Sequence, residues 1–227
     1  GGNGIVVTSG RITTSTTSSL SFGGSYTNNN LSTIFSNTWP MTIANFTMTR
    51  NLCNLGLGSA HNLTVTGAFT LTAGKFSIGA SLLTLNGIAT GNINGQITGG
   101  STSDLTLGGS SAQSIYLDLS STVAGGTNTI RNLINGNTNA SGLQLLSNMR
   151  IGGTLTHTNS TNRITIAPTT SVQVLTIDGN ITGNGGFIGN STYANLAING
   201  SGALTGAINF FTTTALSQLT MNRSTNG

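Results

Sequence analysis

Few side chains in this 227-residue chain can do acid–base or nucleophilic chemistry. The carboxylates are Asp104, Asp118 and Asp178, and Glu is absent. The histidines are His61 and His157, the one thiol is Cys53 and the one lysine is Lys75. Enzymes that cut polysaccharides set two carboxylates or bases about one bond. Asp104 precedes a strand-like segment at a position held by Ser19 and Asn195 in similar segments, and Asp178 takes a corner held elsewhere by Asn86. Both are expected to be turn and cap residues. Alternation through Tyr116-Leu117-Asp118 points Asp118 outward beside Tyr116. No carboxylate pair is expected, so the sequence argues against an enzyme and names no catalytic residue. His61 and His157 share no metal-ligand spacing and are expected at the surface or an edge. Cys53 is expected to be a small buried hydrophobe. A calcium-binding β-roll needs Asp in every turn, and this chain has three in all. An isopeptide bond from Lys75 would need a buried acid beside it, which the absence of Glu argues against. No cofactor or metal is expected.

The formal net charge is +4 and the pI about 10.0, but few groups set these values. Arg11, Arg50, Lys75, Arg131, Arg150, Arg163 and Arg223 stand singly along the chain. A nucleic-acid binder gathers such residues on one face, so no nucleic-acid partner is expected. No apolar run approaches the ~20 residues of a membrane helix, and no membrane span is expected. The chain opens Gly1-Gly2-Asn3-Gly4, without an initiator Met or signal peptide, and is expected to be a piece of something longer.

The elements that must position these residues follow from composition and period. Gly, Thr, Asn and Ser together make up more than half of the chain, while charged types are only 4% and hydrophobic types 36%. Poor helix formers dominate, which excludes a helical protein. The apolar content argues against disorder. Short alternating segments recur at 45–48, 62–67, 83–87, 104–109, 175–179, 195–200 and 218–222. Several close on Asn-Gly, Asp-Gly or Gly-Gly, as short strands do. Their first apolar residues are Phe46, Leu63, Leu83, Leu105, Leu133, Leu155, Leu175, Leu196 and Leu219, mostly about 21 residues apart. Segments 42–48, 129–135 and 215–221 also resemble one another, giving a higher-order repeat of about 87 residues.

A coil of about 21 residues cannot bury its own apolar face, but stacked coils can. The chain is therefore expected to be all-β, a single-domain parallel β-helix (β-solenoid) of roughly ten coils, continuous over residues 1–227. Leu83 and Leu85 should point inward and Thr84 outward, and Leu83 and Leu105 should share one interior column. Gly and Asn at the corners should supply positive φ. Asn45, Asn62, Asn132 and Asn195 could form amide ladders. The competing fold is an antiparallel sandwich, because Asn-Gly also marks hairpins.

The run N-L-T-V-T-G-A-F-T-L-T-A-G-K-F-S-I-G-A-S-L-L-T-L-N-G at 62–87, with I-T-G-G-S-T-S-D-L-T-L-G-G at 97–109, resembles the β-strand-repeat surface proteins of Bacteroidota. These are large secreted proteins, many exported by the type IX route. The resemblance implies an extracellular repeat region of structural or adhesive use: a stalk, surface adhesin segment or filament. It carries over no catalytic residue. A surface rich in Thr, Ser and Asn agrees with an extracellular location. The expected partners are further copies stacked end to end, or continuing repeats, and surface glycans.

The alternative function is carbohydrate or ice binding through an outward Thr/Asn face. Thr pairs occur at Thr47/Thr49, Thr64/Thr66, Thr70/Thr72, Thr127/Thr129, Thr154/Thr156 and Thr156/Thr158. An ice face needs such pairs at one phase in successive coils, and the coils at 83–87, 104–109, 175–179 and 195–200 have none. These Thr are therefore expected to be ordinary exposed strand residues. Asn-x-Ser/Thr at Asn30, Asn45, Asn62, Asn139, Asn159, Asn180, Asn190, Asn199 and Asn222 reflects the abundance of these residue types. A polysaccharide-acting β-helix enzyme is the third reading. An enzyme or lectin should carry a groove lined by aromatics and acids, whereas a stalk should be smooth and polar on every side.

Overall fold

The computed structural model describes residues 16–24, 40–57, 60–205, 208–211 and 215–223. The expectations for Gly1 to Gly4, Arg11 and Asn30 lie outside these residues.

Alternating apolar and small polar residues produce short strands, and the strands stack into two sheets. Sheet A runs through β1 (Ser19–Phe22), β3 (Asn45–Gly56), β5 (Phe69–Ser77), β7 (Ala89–Thr90) and β10 (Gln113–Ile115). It continues through β12 (Leu143–Leu145), β15 (Arg163–Ile166), β18 (Gly186–Ile188) and β20 (Asn209–Phe210), with β8 (Gly95–Thr98) beside β5. Sheet B runs through β2 (Met41–Ile43), β4 (Leu63–Val65), β6 (Leu82–Leu85), β9 (Gly100–Leu107) and β11 (Thr129–Asn135). It continues through β13 (Met149–Ile151), β16 (Gln173–Ile177), β19 (Ala194–Gly200) and β21 (Gln218–Arg223). A side branch holds β14 (Thr154–His157) and β17 (Asn180–Thr182). Every strand pair is parallel, which sets the sandwich aside.

The chain is a parallel β-solenoid of about eight turns. Roughly ten were expected from coils of uniform length. The coils are not uniform: Leu63 pairs Leu83, whereas Leu105 pairs Leu133 and Gln113 pairs Leu143, so the middle coils take up more chain. At the ~4.8 Å strand spacing, eight steps span about 38 Å.

The inward assignment holds at the centre. Leu63, Leu83, Leu105, Leu133, Leu155 and Ile181 stack in one column in register, each essentially sealed from solvent. Leu83 and Leu85 face in while Thr84 is half-buried between them. The remaining expected members lie elsewhere. Phe46 belongs to sheet A, stacked on Phe69 with ring centroids 5.2 Å apart. Leu175, Leu196 and Leu219 form a second sheet B column below Met149. The similar segments 42–48 and 129–135 thus occupy different positions in the coil. Both sheets demand the same alternation, so the motif alone does not say which sheet takes it.

The corners work differently from the expectation. Asn does not supply positive φ: among the described residues only Ala60 and Ala167 do so without being Gly. Instead the Asn carboxamide accepts a backbone N–H from the next coil. Asn45 Oδ1 takes Ala68 N at 2.8 Å, Asn62 takes Leu82 N at 3.2 Å, Asn132 takes Thr154 N at 3.0 Å and Asn148 takes Val174 N at 2.9 Å. Each side chain supplies an acceptor where the sheet ladder breaks at a bend. The ladder expected of Asn45, Asn62, Asn132 and Asn195 does not form. A short one joins Asp178, Asn199 and Asn222. Glycine serves one corner by size: a Cβ on Gly179 would run into the Gly153 carbonyl of the preceding coil.

Candidate functional site

Each carboxylate is held by a cation from another coil. Arg131 of β11 forks onto Asp104 of β9, with Nε 2.9 Å from Oδ1 and Nη2 on Oδ2. The Asn132 backbone N–H and carboxamide also donate to Asp104, at 3.2 and 3.0 Å. Arg150 of β13 donates from Nε to Asp178 at 2.7 Å. Asp104 and Asp178 stand three coil steps apart on sheet B, in different columns.

Asp118 was expected at the surface and is buried. Its phase is outward, beside Thr98 of the preceding coil, as the Ile97–Leu117 bridge fixes. The segment after it folds back over it. Ser120 donates from its backbone N–H and its hydroxyl, both at 3.0 Å, and Thr98 donates from its hydroxyl at 3.3 Å. Lys75 Nζ reaches past the coil of β8 to Oδ2 at 2.8 Å. Burial alone would push this carboxyl up, but hydrogen bonds from Lys75 and Ser120 and the Lys75 charge outweigh it and hold the carboxyl below its usual value.

His157, which the sequence places at the surface or an edge, lies inside and is 3% exposed. Val65, Leu85, Leu107, Asn135 and His157 form one inward column, aliphatic at first and then polar. Asn135 donates its carboxamide to His157 Nδ1 at 3.4 Å, and the ring sits edge-on to Phe187 at 5.9 Å. His157 Nε2 is buried without a partner. Burial lowers its pKa to about 4. Strict alternation through Thr154-Leu155-Thr156-His157 was the available signal, because it puts His157 in phase with Leu155. His61 is half-buried at an edge, with Nδ1 2.6 Å from the Leu57 carbonyl. Cys53 is buried, and burial raises its thiol pKa. Among the described residues no three His, Cys, Asp or Glu gather as metal ligands. No helix of the described residues is long and apolar enough to cross a membrane. Arg163 lies over the Phe211 ring at 4.2 Å.

The Thr pairs do not share a phase: Thr47/Thr49 and Thr70/Thr72 lie on sheet A, Thr64/Thr66 and Thr154/Thr156 on sheet B. A single outward file does share a phase, with Thr at all but one of its positions. Thr42, Thr64, Thr84, Thr106, Ile134, Thr156 and Thr182 stack in register on the outer face of sheet B. Thr205 follows beyond the Ile181–Leu204 bridge. Thr64, Thr84 and Thr106 of this file stand at the centres of the Leu-Thr-apolar segments 63–65, 83–85 and 105–107, a signal carried by single Thr residues and not by pairs. Sheet A has a similar file of Ser21, Thr47, Thr70, Thr90 and Ser114.

The outer surface is not smooth on every side. Open clefts formed by the described residues lie on sheet A, among them these two. One, of about 630 Å³, is lined by Asn51, Asn54, Lys75, Ile93, Asn94 and Gln96. The other, of about 890 Å³, lies among Gln144, Arg163, Thr165, Ile188, Asn190 and Ala215.

Comparison with protein-family models, with curated proteins and with solved structures finds no match for the chain.

Proposed function

We propose that this β-solenoid is a spacer: a segment of an extracellular stalk or adhesin of the Bacteroidota β-strand-repeat kind. The supporting observation is where the polar side chains go. All three carboxylates and the corner Asn carboxamides bond to neighbouring coils, so these groups hold the stack together. A spacer of this kind grows by adding coils. Strand β21 leaves Leu219 and Met221 about half exposed, although their partners Leu196 and Ile198 are sealed. In this reading another coil covers them, from continuing chain or from a second copy. Antibody raised against the chain should label intact cells that produce it. Labelling only after permeabilisation would overturn the extracellular reading.

The Thr file of sheet B favours a second reading. It presents a hydroxyl and a methyl at nearly every coil, repeated at the ~4.8 Å strand spacing, to an ordered surface such as ice. Thermal hysteresis that Thr84→Lys and Thr106→Lys abolish is the expected result; none from the native chain refutes this reading.

A further inference from the structure

The outer face of sheet A changes character beside the file of short hydroxyls. Asn54, Lys75 and Gln96 stand in register on three successive coils, and Tyr116 follows on the next, next to the Ile97–Leu117 bridge. Long hydrogen-bonding side chains replace Ser and Thr here.

Two irregular segments wall this row. On one side β3 shifts register between Thr49 and Asn54 and lifts Asn51 out of the ladder. On the other, a tight turn projects at 92–95. Its backbone closes with Asn92 and Gly95 exchanging hydrogen bonds at 3.1 Å, and Asn92 Oδ1 accepts from Asn94 N at 2.7 Å and Gly95 N at 2.9 Å. The cleft of about 630 Å³ lies between these walls, within the roughly 300–1,000 Å³ typical of ligand sites.

The lining has a definite chemistry. Among the described residues, the carboxamides of Asn51, Asn54 and Asn94 make no hydrogen bond within the chain. Gln96 donates to the Ile93 carbonyl at 2.7 Å, which leaves its own carbonyl oxygen as an acceptor. Ile93 is 65% exposed and forms an apolar ledge. Asp118 holds Lys75 through one of three ammonium protons and itself accepts from Ser120 and Thr98. The ammonium keeps donors to spare while its charge is neutralised from behind.

We propose that this cleft binds a neutral glycan laid along the solenoid axis, about one sugar ring per coil. Sugar hydroxyls both donate and accept, which suits carboxamides. A ring's C–H face suits the exposed Ile93. The charge balance of Lys75 with Asp118 favours a neutral chain over an acidic one. A pyranose unit in an extended chain is about as long as the ~4.8 Å coil spacing. This inference rests on the fold alone and stands or falls separately from the stalk reading.

The test is a titration of the isotope-labelled chain with cellohexaose and with chitohexaose, read by NMR. Side-chain amide signals of Asn51, Asn54, Asn94 and Gln96 should move, and signals of Thr64 and Thr84 on sheet B should not. Asn94→Ala and Gln96→Ala should each weaken binding at least about fivefold, with the thermal midpoint unchanged. Absence of shifts with both sugars at millimolar concentration overturns the proposal, and so do shifts confined to sheet B. Tighter binding of hexagalacturonate, an acidic counterpart, overturns the choice of a neutral ligand.

Discussion

Replacing Leu105 by Ala tests the central column directly. Leu105 is fully buried between Leu83 and Leu133, which are also fully buried. The change removes three carbons, worth about 2.4 kcal/mol of transfer free energy at about 0.8 kcal/mol per methylene. A cavity term adds to this where the surroundings cannot close in. Here they cannot: the Leu105 strand is hydrogen-bonded to a strand on each side, which fixes the coil spacing. A total of about 4 kcal/mol is expected, within the about 2–5 kcal/mol range for such changes. Leu219→Ala makes the same chemical change at a position already 47% exposed, and should cost about 1 kcal/mol. Thr106→Ala, the outward neighbour of Leu105, should stay within about 0.5 kcal/mol. Urea unfolding followed by circular dichroism measures all three. For an m-value of about 3 kcal/mol/M, Leu105→Ala should lower the midpoint by about 1.3 M. Equal losses for Leu105→Ala and Leu219→Ala, or a loss below about 1 kcal/mol at Leu105, would refute the stacked column.

Gly179→Ala should cost about 3 kcal/mol or more, because its Cβ meets fixed backbone at Gly153. Gly152→Ala should be neutral or stabilising by up to about 1 kcal/mol, since its Cβ would sit 3.5 Å from the Thr129 methyl; thermal melts that rank the two the other way contradict the corner geometry. His157 has a folded pKa of about 4, below its ordinary value of 6.5, so between these values the unfolded chain binds more protons. Stability is full above about pH 6.5 and falls as pH drops towards 4, by up to about 3 kcal/mol; chemical unfolding across this range should show the slope, and His157→Gln should flatten it. Lys75→Met leaves Asp118 buried without its cation and should cost about 1–3 kcal/mol at pH 7, less than a fully buried pair because Lys75 is partly exposed. Part of that loss should return in acid as Asp118 protonates, and a pH-independent loss would show that Lys75 acts by packing alone.

The inward phase of Leu83, Leu85 and Leu105 was legible because alternation is local. The assignment of Phe46 to a sheet was not, because Asn-Phe-Thr-Met satisfies either sheet equally well. Asp118 shows a second kind of limit. Its outward phase was readable, but its burial depends on Ser120 folding back and on Lys75, which lies far earlier in the chain. His157 was within reach of the same alternation that placed Leu85, and was passed over because histidine is seldom an interior residue. The cleft on sheet A had no local signal. It arises where a register shift near Asn51 meets a turn at Ile93 on another coil, and neither segment alone marks a site.

The ladder hydrogen bonds of a stacked solenoid run parallel to its long axis, so a pull on its two ends loads the coils in series. Each coil then peels off when its own ladder fails, and the weakest rung sets the breaking force. The ion pair from Lys75 to Asp118 changes this locally, because it skips the coil of β8 and fastens the coils on either side of it. Neither junction of the β8 coil can open until that pair breaks. A tether built this way would lengthen in small uneven steps under drag, with one larger step where the pair lets go.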